Sequence, residues 1–303
     1  MFADLRFALR QLRKAPGFTI TVLLMLALGI GANTAVFSVV DAVMLRPLPY
    51  AQPQRLVRAE SARAGSIYTS NLSYPDFFDW RARSRSFEHL VSYHGNSYTL
   101  TGVERAVHVD AEIVSWDLLP LLGVNPELGR GFAPDDEKKG TRVALISHSL
   151  WVTQFGGDRT VVGRSIDLSG DHFTVIGVMP GSFRFPVNSP RIGLWTSVGA
   201  DEQNMITNRG AHFLDAIGRL KDGVTIAQAD QEMKTIAAQL AKAYPDSNTQ
   251  HDSARVESEM RALLGDTRPL LMIVLGGVAL VLLIACGNIA NLQLARVRDR
   301  QRE

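Results

Sequence analysis

Cysteine is nearly absent from this 303-residue sequence, and disulfide chemistry is excluded from most of it. The one cysteine, Cys286, lies in a long apolar run, and the region between the two apolar runs contains none. A disulfide scaffold is therefore excluded there. This region could still lie in an oxidising compartment, because it contains no cysteines that could form a disulfide there. The seven histidines are scattered, without an HExxH motif or the Cys/His spacing typical of zinc sites.

Sequence motifs for nucleotide binding and for nucleophilic catalysis are also missing. No GxxxxGK[ST] motif occurs, so the chain does not bind ATP through a P-loop. Thr34 stands where a dinucleotide fingerprint starting at Gly29 needs its third glycine, and Ser147-His148-Ser149 lacks the glycines of a nucleophile elbow. The pair Asp135-Asp136 lies in a polar loop, which favours a solvated loop over a catalytic dyad. We therefore expect no catalytic residue, no bound metal and no cofactor.

The charge of the sequence gives no reason to propose a nucleic-acid partner. The formal net charge is only +2, and no basic stripe is interleaved with aromatic residues. Hydrophobic residues make up 46% of the chain and charged residues 20%, which suits a membrane-anchored protein that is mostly a water-exposed domain.

Two long apolar runs organise the sequence. Residues 18–40 contain no charge over 23 positions, and as a helix they would be about 34 Å long, enough to cross a hydrocarbon core of ~30 Å. A signal peptide is the alternative, but its apolar part usually runs only ~7–15 residues. The second run begins at Pro269 and has no charge before Arg296. The sequence predicts transmembrane helices at 18–45 and 268–294.

Small residues in both predicted spans are spaced for helix contact. Ala27, Gly31 and Ala35 repeat at every fourth position, and Gly276 and Gly277 form a second small-residue face. Such residues let another helix backbone approach closely. Asn33 and Asp41 are polar residues near or at the outer end of the first span, and Asp41 is expected to lie at the water interface and not to form an ion site.

Basic residues next to the two spans predict their orientation. Residues 1–17 begin with a predicted basic amphipathic helix on the membrane surface, because apolar and arginine side chains share different helix faces there. Arginines 296, 298, 300 and 302 follow the second span. Lys and Arg near spans favour the cytoplasmic side. Both termini are therefore expected in the cytoplasm and residues 46–267 outside.

The segment between the spans alternates between strand and helix patterns. A helix is predicted from the Ser73 cap to Arg83, with aromatic residues that fit core packing better than ligand stacking. A second helix is predicted from Thr225 to Tyr244, and strands at 143–146, 165–168 and 172–178. This order predicts an α+β external domain between two transmembrane α-helices.

The sequence resembles the MacB/FtsX-type ABC transporter permeases with a MacB-like periplasmic core domain, and most of all the large duplicated permeases. The resemblance covers nearly the whole chain and is specific in the combination of its motifs. These are LRFALRQLRKAPGFTITVLLMLALGIGANTAVFSVVDAVMLRPLPY at 5–50, GRGF at 129–132, VALIS at 143–147, WVTQFGG at 151–157, VGRSI at 162–166, FTVIGV at 173–178 and IACGNIANLQLARVRDRQRE at 284–303.

The resemblance implies a two-lobed external domain with an inserted outer lobe. The inner lobe would comprise about 50–110 and 206–264, and the outer lobe about 111–205. Family permeases have at least four membrane helices, so this sequence is expected to be the front portion of one, ending at the start of a cytoplasmic coupling segment, 295–303.

The resemblance also implies function and partners. Such permeases are not ATPases, pair with a separate ATP-binding cassette ATPase subunit, form homodimers or paired permeases, and pass ATP-driven helix motion to the external domain. A periplasmic adaptor or substrate protein is a further implied partner, and the bacterial inner membrane the implied location. The residues expected to pack against another helix are Ala27, Gly31, Ala35, Gly276 and Gly277. The residues expected to couple the second span to the cytoplasmic side are Arg296, Arg298, Arg300 and Arg302. The alternatives are a two-span membrane sensor with a ligand-binding extracytoplasmic domain and, third, a membrane-anchored hydrolase.

Overall fold

The computed structural model describes residues 16–40, 48–189, 192–265 and 267–300. These residues form two compact units, one comprising Leu48–Leu263 and the other containing the long helices at each end of the chain. The predicted amphipathic helix and residues 41–45 of the first predicted span lie outside the described residues, apart from positions 16 and 17.

Among the described residues, two long helices form the unit at the ends of the chain. Helix α1 spans Pro16–Val40 and α9 spans Thr267–Arg300. Within them, Thr19–Ser38 and Pro269–Asn288 are long and apolar enough to cross a membrane, with mean hydropathies of 2.1 and 2.8. Helix α1 begins at a proline, which is tolerated there because the first turn has no intrahelical partner for its N–H. The two apolar helices predicted at the ends of the chain are therefore present.

The unit comprising Leu48–Leu263 is built on one mixed sheet of eleven strands. Its strand order is β11-β1-β10-β3-β4-β9-β6-β8-β5, with β2 paired to β1, and β7 paired to β3 and β8. Most neighbours are antiparallel, but β4–β9 and β6–β8 are parallel. The strands are β1 Leu56–Ala62, β2 Thr69–Ser70, β3 Phe87–Thr101, β4 Val107–Val114, β5 Leu128–Gly129, β6 Val143–Ser147, β7 Ser165–Leu168, β8 Asp171–Met179, β9 Leu194–Ser197, β10 Asp215–Leu220 and β11 Ser253–Ser258.

Among the described residues, seven α-helices accompany this sheet. Two of them begin at predicted caps. The Ser73 side chain accepts from the Asp76 N–H, and Thr225 with Gln228 forms a reciprocal capping box. The mixed α and β class predicted for the domain is confirmed. The helices are α2 Tyr74–Arg83, α3 Leu118–Leu122, α4 His148–Phe155, α5 Gln203–Thr207, α6 Ile226–Ala243, α7 Pro245–Asn248 and α8 Glu259–Leu264.

Alternate residues of the central strands contribute to two different apolar clusters. Val57 packs with Trp80 and Met233, below α2 and α6. Leu56 packs on the other cluster, which includes α3 and residues of β6 and β8. A third cluster lies around α4, β6 and β8. The sheet is thus covered on both faces, which favours apolar runs over clean alternation in its strands.

The predicted lobes share this continuous sheet. The boundary at 110/111 falls inside β4, which pairs with β3 on one side and β9 on the other. The two segments predicted to close the inner lobe do lie together, since Ala59 is directly opposite Val256. The division into an inner and an outer lobe at the stated boundaries stays a prediction.

Candidate coupling site at the paired ends of the first and last strands

The first and last strands of the domain are neighbours, so both chain connections leave from one place. Strands β1 and β11 are antiparallel, with Val57 opposite Ser258. The chain therefore reaches β1 through residues 48–55 at the same end of the pair where it leaves β11 for α8. We name this end of the domain, with residues 48–58 and 257–263, the junction.

An ion pair fixes the outgoing connection to β1. Arg58 Nη2 lies 2.9 Å from Glu259 Oε1, and Nε lies 3.2 Å from Oε2. This two-point contact matches the planar guanidinium to the carboxylate. The side chains are only 18% and 6% exposed. Glu259 is also the first residue of α8, where a negative charge suits the helix dipole.

Protonation of this pair is governed by burial. Burial raises the pKa of Glu259, and the hydrogen bond and charge of Arg58 offset that rise only in part. Burial by itself lowers the pKa of Arg58, but Tyr93 and Glu259 raise it overall. Met260 and Leu263 of α8 pack against the core cluster that includes Leu56. The Arg58–Glu259 ion pair therefore lies next to the apolar core.

A buried arginine holds the incoming connection. Arg219 is 5% exposed and donates to main-chain oxygens, from Nη2 to Ala51 at 2.6 Å, from Nη1 to Gln52 at 3.3 Å and from Nε to Leu121 at 3.0 Å. Burial, then the nearby Arg55, lowers the pKa of Arg219. The N–H of Ala51 bonds back to Leu122 O at 3.0 Å. Residues 51–52 are thereby tied to β10 and α3.

Further contacts extend this anchoring. The Tyr50 hydroxyl donates to the Arg184 carbonyl. Arg55 donates from Nε to Leu220 O at 2.7 Å and pairs with Asp222 at 2.7 Å. The incoming segment is therefore held at four points along its length.

Two carboxyl groups, the buried Glu112 and the half-buried Asp215, lie on the same sheet face as Arg58. Glu112 is 6% exposed, and its Oε2 has no hydrogen-bond partner among the described residues. Burial, then the charge of Asp215, raises the pKa of Glu112 to about 7. Burial also raises the pKa of Asp215. This face of the sheet therefore contains one carboxyl group, Glu112, that changes charge near neutral pH.

A groove of about 760 Å³ lies beside α4. Its walls include Phe183, Arg184, Trp195 and His148, and the His148 Nδ1 lies 2.6 Å from Glu127 Oε1. Mixed polar and apolar walls of this size suit a small ligand in general. Across the part of the chain that the structure describes, no group of three or more His, Cys, Asp or Glu residues could hold a metal ion.

The small residues predicted for helix contact lie apart from the contact between α1 and α9. A Cβ built on Gly31, Gly276 or Gly277 meets no atom within 4 Å, and Ala27 and Ala35 are exposed. Their packing against another helix stays a prediction.

The contact between α1 and α9 instead involves Asn33. Its Nδ2 donates to Gly29 O at 3.0 Å and to Val278 O of α9 at 3.3 Å. Sequence reasoning noted Asn33 only as a polar residue near the outer end of the span and missed its role as a bridge between the helices. An isolated amide in an apolar run was the signal that could have found it.

The arginines predicted for coupling lie at the end of α9. Positions 296, 298 and 300 belong to the helix that contains the second apolar run, and Arg302 lies outside the described residues. Sequence reasoning missed Arg58, Arg219 and Glu259. The available signal was an arginine inside each of two apolar strand patterns, Leu56-Val57-Arg58 and Ile217-Gly218-Arg219, because a charge at such a position needs a buried partner.

Comparison with known proteins identifies the domain. Residues 19–236 match the family described as MacB-like periplasmic core domain. Over 188 residues the chain is 25% identical to the "Pyoverdine export ATP-binding/permease protein PvdT" of Pseudomonas syringae pv. syringae (strain B728a). That match covers 58% of this chain and 26% of the relative, so the chain matches about a quarter of the relative's length.

Two solved structures share the fold. The periplasmic region of MacB from Actinobacillus actinomycetemcomitans superposes with a TM-score of 0.50 at 14% identity, covering 73% of this chain and 93% of that one. A domain of a putative permease protein from Porphyromonas gingivalis gives a TM-score of 0.53 at 16% identity, covering 69% and 92%. These findings confirm the family resemblance inferred from the motifs and do not favour the two-span sensor.

Proposed function

The chain belongs to the family of proteins with a MacB-like periplasmic core domain, and from that premise we propose that it acts as the non-catalytic membrane subunit of an ABC-type export or mechanotransmission system. In this role it passes helix motion, driven by ATP hydrolysis in another subunit, to the external domain. No P-loop occurs in this sequence, and we propose that ATP is bound by a separate ATP-binding subunit.

The junction is the observation that carries this proposal. Both connections to the apolar helices leave from adjacent ends of β1 and β11. The incoming segment is tied to the sheet by Arg219, and the outgoing helix by the Arg58–Glu259 pair. A binding domain that only recognises a ligand does not need both of its connections fastened to one strand pair. A domain that must follow its membrane helices does.

The remaining features of the proposal concern location and partners. Both termini lie in the cytoplasm and the external domain in the periplasm of a bacterial inner-membrane protein, in agreement with the basic residues next to the spans. The partners are an ATP-binding cassette ATPase subunit and a second permease, as a homodimer or a pair, with a periplasmic adaptor or substrate protein outside. The relative's name refers to pyoverdine export. For this chain we propose export or force transmission without naming a substrate.

The cytoplasmic end of α9 is the proposed receiver of motion. Positions 296–300 are helically continuous with the second apolar run, so displacement there would travel along the helix toward α8. Arg302 extends the same basic segment. These arginines also suffice to orient the helix. Replacing Arg298 and Arg300 by lysine keeps the charge and removes the guanidinium fork, which separates the two roles.

The test uses the full-length protein with its ATPase subunit in lipid nanodiscs. In a Cys286→Ser background, a fluorophore on Val152→Cys, an exposed position on α4, reports motion of the domain on addition of Mg-ATP. We expect an ATP-dependent signal in this parent protein. Replacing both Arg58 and Glu259 by methionine removes the ion pair while keeping similar volume. We expect ATP hydrolysis within about twofold of the parent and at least a threefold smaller signal.

A matched pair elsewhere in the domain provides the control. Arg142 and Asp171 form a solvent-exposed ion pair at 3.1 Å, and replacing both by methionine should leave the signal unchanged. An unchanged signal in the Arg58/Glu259 variant would show that this ion pair does not transmit motion. The absence of any ATP-dependent signal in the parent protein would refute mechanotransmission itself.

A further inference from the structure

Two histidines stack face to face at the base of the β1–β2 hairpin. The ring centroids of His212 and His251 are 3.6 Å apart and their planes differ by 7°. His212 precedes β10, whereas His251 lies in the turn between α7 and β11. Two rings at this distance can share one positive charge, but two charges would repel strongly because the site is partly buried and poorly screened by water.

The His251 ring contacts both strands of the hairpin. Its Nδ1 lies 3.0 Å from Ser61 Oγ on β1 and 3.1 Å from Ser70 Oγ on β2, and these serines are directly opposite each other. An unprotonated Nδ1 accepts a hydrogen bond from a serine hydroxyl. A protonated Nδ1 donates to a serine oxygen instead, so a proton on His251 reverses the direction of this bond. Repulsion from a second charge on the His212 ring is then what would separate the ring from the hairpin.

The His212 ring faces an ionised carboxylate. Its Nε2 lies 3.4 Å from Asp76 Oδ2. Burial tends to raise the pKa of Asp76, but the contact with His212 and the hydrogen bonds from Asn248, Arg209 and Ser73 lower it overall. Of the two rings, His212 is therefore the one that lies beside a negative charge. A positive charge on His212 would repel a positive charge on the stacked His251 ring, whose centroid is 3.6 Å away.

The other charged groups around the stack are already engaged. Arg209 donates to Asp76 and Asp79 and lies over the Tyr244 ring, 3.8 Å from its centroid. The Asp252 carboxylate accepts from the Ala64 N–H at 2.7 Å. Burial, then the charge of His212, lowers the pKa of His251, while Asp76 and Asp252 offset this in part.

We propose that the stacked His212–His251 pair is a pH-sensitive latch, which holds the β1–β2 hairpin when His251 is neutral and releases it when both rings carry a proton. The unfolded or released state takes up the second proton at the ordinary histidine value, above the pKa of His251 in the latched state. Latching is therefore complete above that ordinary value and weakens as the pH falls below it. The hairpin tip holds Ile67 and Tyr68, 74% and 78% exposed, so release would reposition an apolar surface. This inference does not depend on the proposed function.

The experiment measures hairpin mobility in the full chain. A nitroxide spin label is placed on Ile67→Cys in a Cys286→Ser background, in detergent, between pH 8 and pH 5. We expect the mobile fraction of the spectrum to rise at least twofold as the pH falls. In His251→Asn, whose amide oxygen can accept from the serines but takes up no proton, the mobile fraction should stay at its pH 8 level throughout.

Two further variants keep the proposal falsifiable if His251→Asn perturbs the local fold. His212→Gln removes the first charge and keeps a donor toward Asp76, so it should also abolish the acid-induced rise. His172→Gln, at an exposed histidine on β8, should behave like the parent. An acid-induced rise that persists in His212→Gln, or a parent protein with no rise, would overturn the latch.

Discussion

Replacing Glu112 by glutamine should change how the stability of the external domain depends on pH. Glu112 lies in the middle of β4, 6% exposed, with Oε2 unpartnered among the described residues. Burial and the charge of Asp215 raise its pKa from the ordinary 4.5 to about 7. Because the folded domain holds this proton more tightly than the unfolded chain does, stability is highest below pH 4.5 and declines as the pH rises toward 7.

The size of the effect follows from that interval. Each pKa unit corresponds to about 1.4 kcal/mol, so the ionised side chain costs the folded state roughly 3 kcal/mol above pH 7. Glutamine has nearly the same shape and no charge. Any cost of burying its amide group is about the same at every pH. The stability of Glu112→Gln minus that of the parent should therefore increase by about 2–3 kcal/mol between pH 5 and pH 8.

Thermal unfolding of the 48–263 fragment is the assay. For a domain of this size about 1 kcal/mol shifts the melting temperature by roughly 2–4 °C, so the difference between variant and parent should change by about 5–10 °C over this pH range. Glu104→Gln, at an exposed position, is the matched control and should track the parent. A difference between Glu112→Gln and the parent that is flat from pH 5 to pH 8 would refute the reasoning.

Two further predictions concern backbone geometry and helix capping in the same fragment. Gly129 has φ +75°, and a Cβ built there would lie 2.2 Å from Ile176 O, so Gly129→Ala should destabilise the domain by about 3 kcal/mol through strain and overlap. Gly163→Ala, with φ +89° but nothing within 4 Å, should cost only about 1 kcal/mol; equal costs would contradict the overlap argument. Thr225→Ala removes the capping box of α6 and should cost about 1 kcal/mol by urea unfolding. Thr235→Ala, within the same helix, should be nearly neutral, and a Thr225→Ala variant as stable as the parent would show that the cap contributes nothing.

Local patterns were enough to predict the elements whose causes are local. The α2 and α6 caps act over three residues, and the apolar lengths of the two terminal helices are visible in the composition alone. The predicted strand 165–168 coincides with β7, and 172–178 differs from β8 by one residue at each end. Each of these features depends on neighbours within one or two turns of chain.

The strand order could not be predicted in the same way. The parallel pairs β4–β9 and β6–β8 join segments far apart in sequence, and β5 has only two residues. Strand β1 also lacks clear alternation, because apolar clusters cover both faces of the sheet around it. With both faces covered, period-two patterning no longer indicates which residues face which layer.

Sequence reasoning missed Arg58, Glu259 and Arg219 because the partners of these residues are also far away in the sequence. Arg58 and Glu259 are separated by 201 positions, and Arg219 contacts carbonyls 98 and about 168 positions away. No local periodicity encodes such partners. A buried arginine in a strand does signal that a compensating acceptor must exist, since an uncompensated buried charge is very costly. That signal predicts that an acceptor exists but does not identify which residue provides it.

Arg58 and Arg219 hold the two connecting segments through different kinds of contact, which differ in how they can be broken. Arg219 binds main-chain carbonyls, which cannot be protonated, so its hold on residues 51–52 is insensitive to pH. Arg58 binds the Glu259 carboxylate, and burial has already moved the pKa of that group upward. Protonation of Glu259, or a pull on α8, can separate this pair without disturbing the Arg219 contacts. Under the proposed function we therefore expect the incoming segment to move rigidly with the sheet, and relative motion to be confined to the first turn of α8.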